Sequence, residues 1–138
     1  MPRIIAIDFG NKRTGLAVTD NLKMIATSLT TLPTHEVIIF LKGYLTKEEV
    51  ECIVIGKPLK LDNQANEIEM NIQVFIGELK KNYPSVKIER MDERFTSKMA
   101  QQAIIDAGIK KMERRNKSLV DKVSATIILQ SYLERINS

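Results

Sequence analysis

The run Cys52-Ile53-Val54-Ile55, closed by Gly56 and Pro58, leaves no polar position on either side of a strand. A half-buried strand alternates apolar and polar residues, whereas a continuous apolar run reads as a strand covered on both faces. A chain with such a strand must supply covering layers.

The rest of the sequence provides them. Arg3 to Asp8 is a short apolar run ending in an acid. Thr14 to Thr19 is β-branched and small after the turn residues Gly10 and Asn11, and Met24 to Leu32 is rich in Thr, Leu and Ile. These segments predict an antiparallel meander. After Thr34, a candidate N-cap, Val37, Ile38, Leu41 and Leu45 recur at helical spacing and predict a helix ending near Thr46. Beyond Gly56 a polar segment spans Lys57 to Asn66. Ile68, Ile72, Phe75, Ile76, Leu79 and Tyr83 then step by three or four until Pro84 stops the helix. Val86, Ile88 and Arg90 to Asp92 predict a last short strand. Met99, Ala103 and Ile104 share a helical face ending at Gly108. Ser118 opens a final helix whose Val123, Ile127, Leu129, Leu133 and Ile136 leave little polar surface and predict extensive burial. The order βββ, α, β, α, β, α, α is that of a layered α/β domain with a mixed sheet. No repeat or low-complexity tract divides it.

Length and composition agree with one domain: 138 residues, 43% of them hydrophobic, bury a core that needs no disulfides. The only cysteine, Cys52, lies within the apolar run and is expected to be a buried free thiol, which fits a reducing cytosol. No stretch approaches a membrane span, and an acid interrupts the first apolar run at Asp8, so a soluble cytoplasmic protein is expected. The net charge of +4 permits an anionic partner without identifying one.

Chemistry in open α/β sheets collects beyond the carboxyl ends of strands. Asp8 ends the first predicted strand, Asp92 and Glu93 end the last, and Asp121 lies in the first turn of the final helix. If the first and last strands are neighbours and that helix packs on the sheet, these carboxylates converge. Converging anions raise one another's pKa unless a cation neutralises them, and an all-oxygen set suits Mg²⁺ or Mn²⁺. Such a site activates water for phosphodiester hydrolysis. Each acid also has a structural reading. Asp8 serves equally as a turn residue, Asp121 as the acid of a capping box with Ser118, and Glu93 as a surface partner of Arg94.

Lys12, Arg13, Arg94 and Lys98 lie within a few residues of these acids, where phosphate contacts would position a nucleic-acid backbone. A second basic group, Lys110, Lys111, Arg114, Arg115 and Lys117, fits either a solvated loop or a nucleic-acid groove. Tyr44, Tyr83 and Tyr132 sit at apolar helical positions and are assigned to packing. His35, the only histidine, precedes a helix and is expected to be exposed; with no reactive Cys site and no other histidine to complete a Ser/His/Asp set, nucleophilic catalysis through a covalent intermediate is disfavoured.

Four segments carry a family resemblance: Asp8-Phe9-Gly10-Asn11-Lys12-Arg13-Thr14-Gly15-Leu16-Ala17, Val54-Ile55-Gly56-Lys57-Pro58-Leu59, Asp92-Glu93-Arg94-Phe95-Thr96-Ser97, and Asp121 through Gln130. In order and spacing they resemble the YqgF/RuvX family of the ribonuclease H-like superfamily, nucleases described as Holliday junction resolvases and as pre-16S ribosomal RNA nucleases. The resemblance implies a ribonuclease H-like fold, with a mixed five-stranded sheet in βββαβαβα order, and a divalent-metal site on Asp8, Glu93 and Asp121. It thereby chooses Glu93 over Asp92, which is kept as a supporting acid. It further implies a nucleic-acid partner, structured RNA or branched DNA, with a homodimer left open because a junction has two strands to cut. The segment after Pro58 departs from the family's glycine-rich pattern, and Asn63 and Asn66 are expected to take the left-handed turn positions there. An actin-like or sugar-kinase ATPase also opens with Asp and Gly, but a chain of this length holds no second lobe. A non-catalytic nucleic-acid-binding protein is the other alternative.

Overall fold

The computed structural model describes residues 2–20, 25–58, 63–92 and 117–137, and the side chains of all of these except 63–65 and 117–123. Strands β1 (Arg3–Asp8), β2 (Arg13–Thr19) and β3 (Ala26–Pro33) form the expected antiparallel meander. Strands β4 (Val50–Lys57) and β5 (Lys87–Asp92) add to it in parallel, giving a five-stranded sheet in the order β3-β2-β1-β4-β5. The first and last strands are not neighbours. Strand β4 pairs with both β1 and β5 and separates them, so the first and last strands are second neighbours, about 10 Å apart at the usual strand spacing. The reason is the continuous apolar run Cys52-Ile53-Val54-Ile55. Cys52 to Gly56 are all buried and can sit only inside the sheet, whereas β5, with Lys87 exposed, suits an edge.

A 3-10 turn, Thr34–Glu36, leads into α1 (Val37–Lys47); α2 (Asn63–Asn82) joins β4 to β5, and α3 (Lys117–Asn137) closes the described chain. Thr34 does not cap α1: its cap position is Glu36, with no side-chain bond to the helix, and the Thr34 hydroxyl is engaged elsewhere. Asn63 and Asn66 are also corrected, because both lie inside α2. Asparagine at a helix start competes well for the unpaired N–H groups of the first turn, so it needs no left-handed backbone there. The predicted helix over 99–108 and the Lys110–Lys117 cluster up to residue 116 lie outside the described residues.

The two faces of the sheet bury different residues, as strand alternation requires. Ile5, Ile7, Leu16, Val18, Ile53 and Ile55 meet Val37 and Leu41 of α1 and Ile72, Phe75, Ile76 and Leu79 of α2. On the other face Ile4, Ala6, Ala17, Cys52, Val54 and Met91 meet Ala125, Ile128, Leu129 and Leu133 of α3. Each fully buried Ile or Leu contributes about 1.5–3 kcal/mol of transfer free energy. Helix α3 is less buried than expected at its end, where Ile136 is 47% exposed. Its 21 residues span about 31 Å, longer than the roughly 20 Å of the strands it covers, so its last turn leaves the sheet. No helix among the described residues is long and apolar enough to cross a membrane.

Candidate active site

Asp8 is the last residue of β1 and is half-buried. It has the parity of Ile4 and Ala6, which places it on the α3 face of the sheet. Its flanks are unusual. Across β2 it is paired with Gly15, and on the β4 side the register Ile7 to Ile55 brings Gly56 alongside it. Gly15 shares the parity of Ala17, and Gly56 that of Val54, so both glycines face α3. Cross-strand Cβ atoms lie about 5 Å apart, so a side chain at either position would fill the space beside the carboxylate. The Asp8 carboxylate therefore stands in a cradle flanked by a glycine on each neighbouring strand.

Helix α3 is oriented toward this cradle. The Tyr132 hydroxyl lies 3.9 Å from Cys52 Sγ, and Cys52 pairs with Ile4 at the start of β1. The Ala26 N–H donates to Gln130 Oε1 at 3.4 Å, and Ala26 pairs with Thr19 at the same end of the sheet. The C-terminal half of α3 thus covers the end where β1 begins, and its N-terminal half approaches the end where β1 finishes. From Tyr132 back to Asp121 the helix rises about 16 Å, and from Ile4 to Asp8 the strand advances about 13 Å. Asp121 lies one turn before the fully buried Ala125, in the N-terminal half of the helix.

Glu93 follows the last residue of β5 and lies outside the described residues, as do Arg94, Lys98, Lys110, Lys111, Arg114 and Arg115. Asp92 is described. It has the parity of Arg90, which reaches α2, so it faces the side of the sheet opposite to Asp8. That alternation separates the two acids by face as well as by strand, and weighs against a supporting role for Asp92 at the Asp8 carboxylate. Among the described residues no three His, Cys, Asp or Glu side chains form a cation site. Asp8 is the one acid of the expected trio whose side chain is described. The all-oxygen donor set fits a hydrated divalent cation.

Lys12 and Arg13 are exposed on the β1–β2 turn, immediately after Asp8. Phe9 anchors that turn by packing on Phe75 of α2 with ring centroids 5.4 Å apart. Asn71 Nδ2, also on α2, donates to Asn11 Oδ1 at 3.0 Å. A further support was not singled out in the sequence. Arg90 donates from Nε to the Ile55 carbonyl at 3.2 Å and from Nη2 to the Gly56 carbonyl at 3.1 Å, and pairs with Glu69 of α2. The hydrogen bonds from Arg90 hold the Glu69 carboxyl down to about 2. The signal available was a charged residue in the interior of a short strand, which requires a partner when partly buried. His35 is exposed, as expected.

A mixed sheet in this order, with an acid closing its central strand and helices on both faces, is the ribonuclease H-like fold of resolvases. T. thermophilus RuvC, solved in complex with a Holliday junction substrate, superposes with a TM-score of 0.64 at 14% identity, covering 99% of this chain and 96% of that one. The fowlpox virus Holliday junction resolvase gives 0.56 at 16% identity, over 97% of this chain and 99% of that one. At such identities the likeness is one of fold. The RuvX family model, described as "Holliday junction resolvase", matches residues 2–135. A relative from Bacteroides thetaiotaomicron is 54% identical over 134 residues, 97% of each chain. Another from Flavobacterium psychrophilum is 52% identical over 135 residues, 98% of each. Both bear the name "Putative pre-16S rRNA nuclease". The chain belongs to the RuvX family.

Proposed function

We propose that this protein is a metal-dependent endonuclease that hydrolyses phosphodiester bonds in structured nucleic acid, acting on the 5′ end of precursor 16S ribosomal RNA in ribosome biogenesis. The observation that carries the reading is the Asp8 carboxylate at the end of the central strand, on the α3 face between Gly15 and Gly56. Asp8, Glu93 and Asp121 would hold Mg²⁺ or Mn²⁺. A bound divalent pair supplies a more acidic water and a stabilised leaving oxygen.

The chain's own residues do the rest. Strand β1 fixes the Asp8 backbone between Gly15 of β2 and Gly56 of β4. Lys12, Arg13, Arg94 and Lys98 hold backbone phosphates, and the Lys110–Arg115 cluster extends that contact. Phosphate contacts position the strand without reading its sequence, in keeping with recognition by shape.

The RNA substrate is supported by the names of the relatives and the four-way DNA junction by the family description, the latter with a homodimer acting on two strands. The deciding experiment offers both substrates to the wild-type protein with Mg²⁺ or Mn²⁺. Cleavage of the precursor RNA with an intact junction supports the first reading, and the reverse result the second. Tight binding of both with no cleavage of either overturns the nuclease reading in favour of a binding protein.

A further inference from the structure

We infer that Thr34 and Thr14 are positioning residues that lock the turn from Phe9 to Arg13, and so hold Lys12 at a fixed place beside Asp8; the inference rests on the nuclease reading of that site. Thr34 grips the turn twice. Its hydroxyl donates to the Gly10 carbonyl at 2.5 Å, and its N–H donates to the Lys12 carbonyl at 3.0 Å. With the Thr34 proton committed to Gly10, the hydrogen bond of 2.9 Å between the two hydroxyls must be donated by Thr14. Thr14 Oγ1 is then left to accept, and the Gly10 N–H points to it at 3.5 Å. The circuit closes: both polar groups of the Gly10 backbone are taken, and each hydroxyl donates once.

The setting makes this arrangement more than a turn's ordinary bonding. Thr14 is wholly buried, and a buried hydroxyl is costly unless bonded, where a valine of the same shape would carry no such cost. Gly10 is required, because a Cβ there would collide with the Arg13 carbonyl. Phe9 and Asn11 are held separately by Phe75 and Asn71. Each residue from Phe9 to Lys12 therefore has its own anchor, while the Lys12 side chain is exposed on the fixed backbone. A phosphate arriving at Lys12 meets a turn already ordered, so the ordering cost falls on folding and not on binding. Thr34 acts only through the turn.

The test compares Thr34→Val, Thr34→Ser, Lys12→Ala and the Lys12→Ala/Thr34→Val pair in steady-state cleavage of a precursor 16S RNA fragment. Thr34→Val is expected to raise KM about tenfold, Thr34→Ser to stay within about twofold of wild type, and the double variant to be no worse than Lys12→Ala. An unchanged KM in Thr34→Val, or effects of Thr34→Val and Lys12→Ala that multiply, would overturn the inference while cleavage by the wild type upholds the nuclease reading. Amide hydrogen exchange provides a readout independent of turnover. The Gly10 amide is expected to be protected in the wild type and to exchange faster in Thr34→Val. An unprotected wild-type Gly10 amide overturns the clamp whether or not any RNA is cut.

Discussion

The Glu69 carboxylate of α2 and the Arg90 guanidinium of β5 meet fork to fork, with oxygen–nitrogen distances of 2.7 and 2.8 Å. The same guanidinium holds the carbonyls of Ile55 and Gly56. One side chain thus ties a helix to the end of the strand beside Asp8, from the face opposite to the carboxylate cradle. Bidentate charged pairs of this geometry are the stronger kind of hydrogen bond, and partial burial protects them from salt.

This pair predicts a pH dependence. Arg90 lowers the Glu69 carboxyl from 4.5 to about 2 in the folded protein. The stabilisation is therefore complete above the unfolded value and is lost as pH falls from about 4.5 toward 2. Glu69→Gln should cost about 1–2 kcal/mol at neutral pH in urea denaturation, allowing for solvent screening. The gap between variant and wild type should narrow progressively below pH 4.5.

Filling the cradle should remove activity without unfolding the protein. Gly56→Ala and Gly15→Ala each place a methyl group beside Asp8 on the α3 face, where strand geometry itself favours alanine over glycine. Cleavage should fall by about tenfold to a hundredfold, the scale on which misplacement of a reacting group acts. Circular dichroism and the thermal midpoint should stay near those of the wild type.

Cys52 should behave as a core residue. Burial raises its thiol pKa, and burial likewise pushes the neighbouring Tyr132 phenol up to about 12. Little thiolate exists at pH 8, so a thiol reagent should label the native protein slowly and the urea-unfolded protein promptly.

Much of the architecture was legible from local pattern. The uninterrupted run at Cys52–Ile55 marked the inner strand, and the three-four spacing from Ile68 to Leu79 marked α2, because alternation and helical period follow directly from which side chains face a core. Strand order was not legible in the same way, since neighbours in a sheet are chosen by long-range packing, and β4 enters between β1 and β5. Thr34 shows the limit at a single residue. A threonine before a helix reads as a cap, but its hydroxyl bonds Gly10, 24 residues away in sequence. Of the expected acids, Asp8 was marked by its place at a strand end. What no local pattern revealed was its pair of glycine neighbours, Gly15 and Gly56, which only strand pairing brings to either side.

The most direct measurement is cleavage of end-labelled precursor 16S RNA by the wild type and by Asp8→Asn, each with Mg²⁺ or Mn²⁺ and each with a chelator. The account predicts cut product from the wild type with cation alone, and a loss of at least about a hundredfold in the folded Asp8→Asn protein. Product formed at the wild-type rate by Asp8→Asn, or by the wild type under chelation, would contradict it.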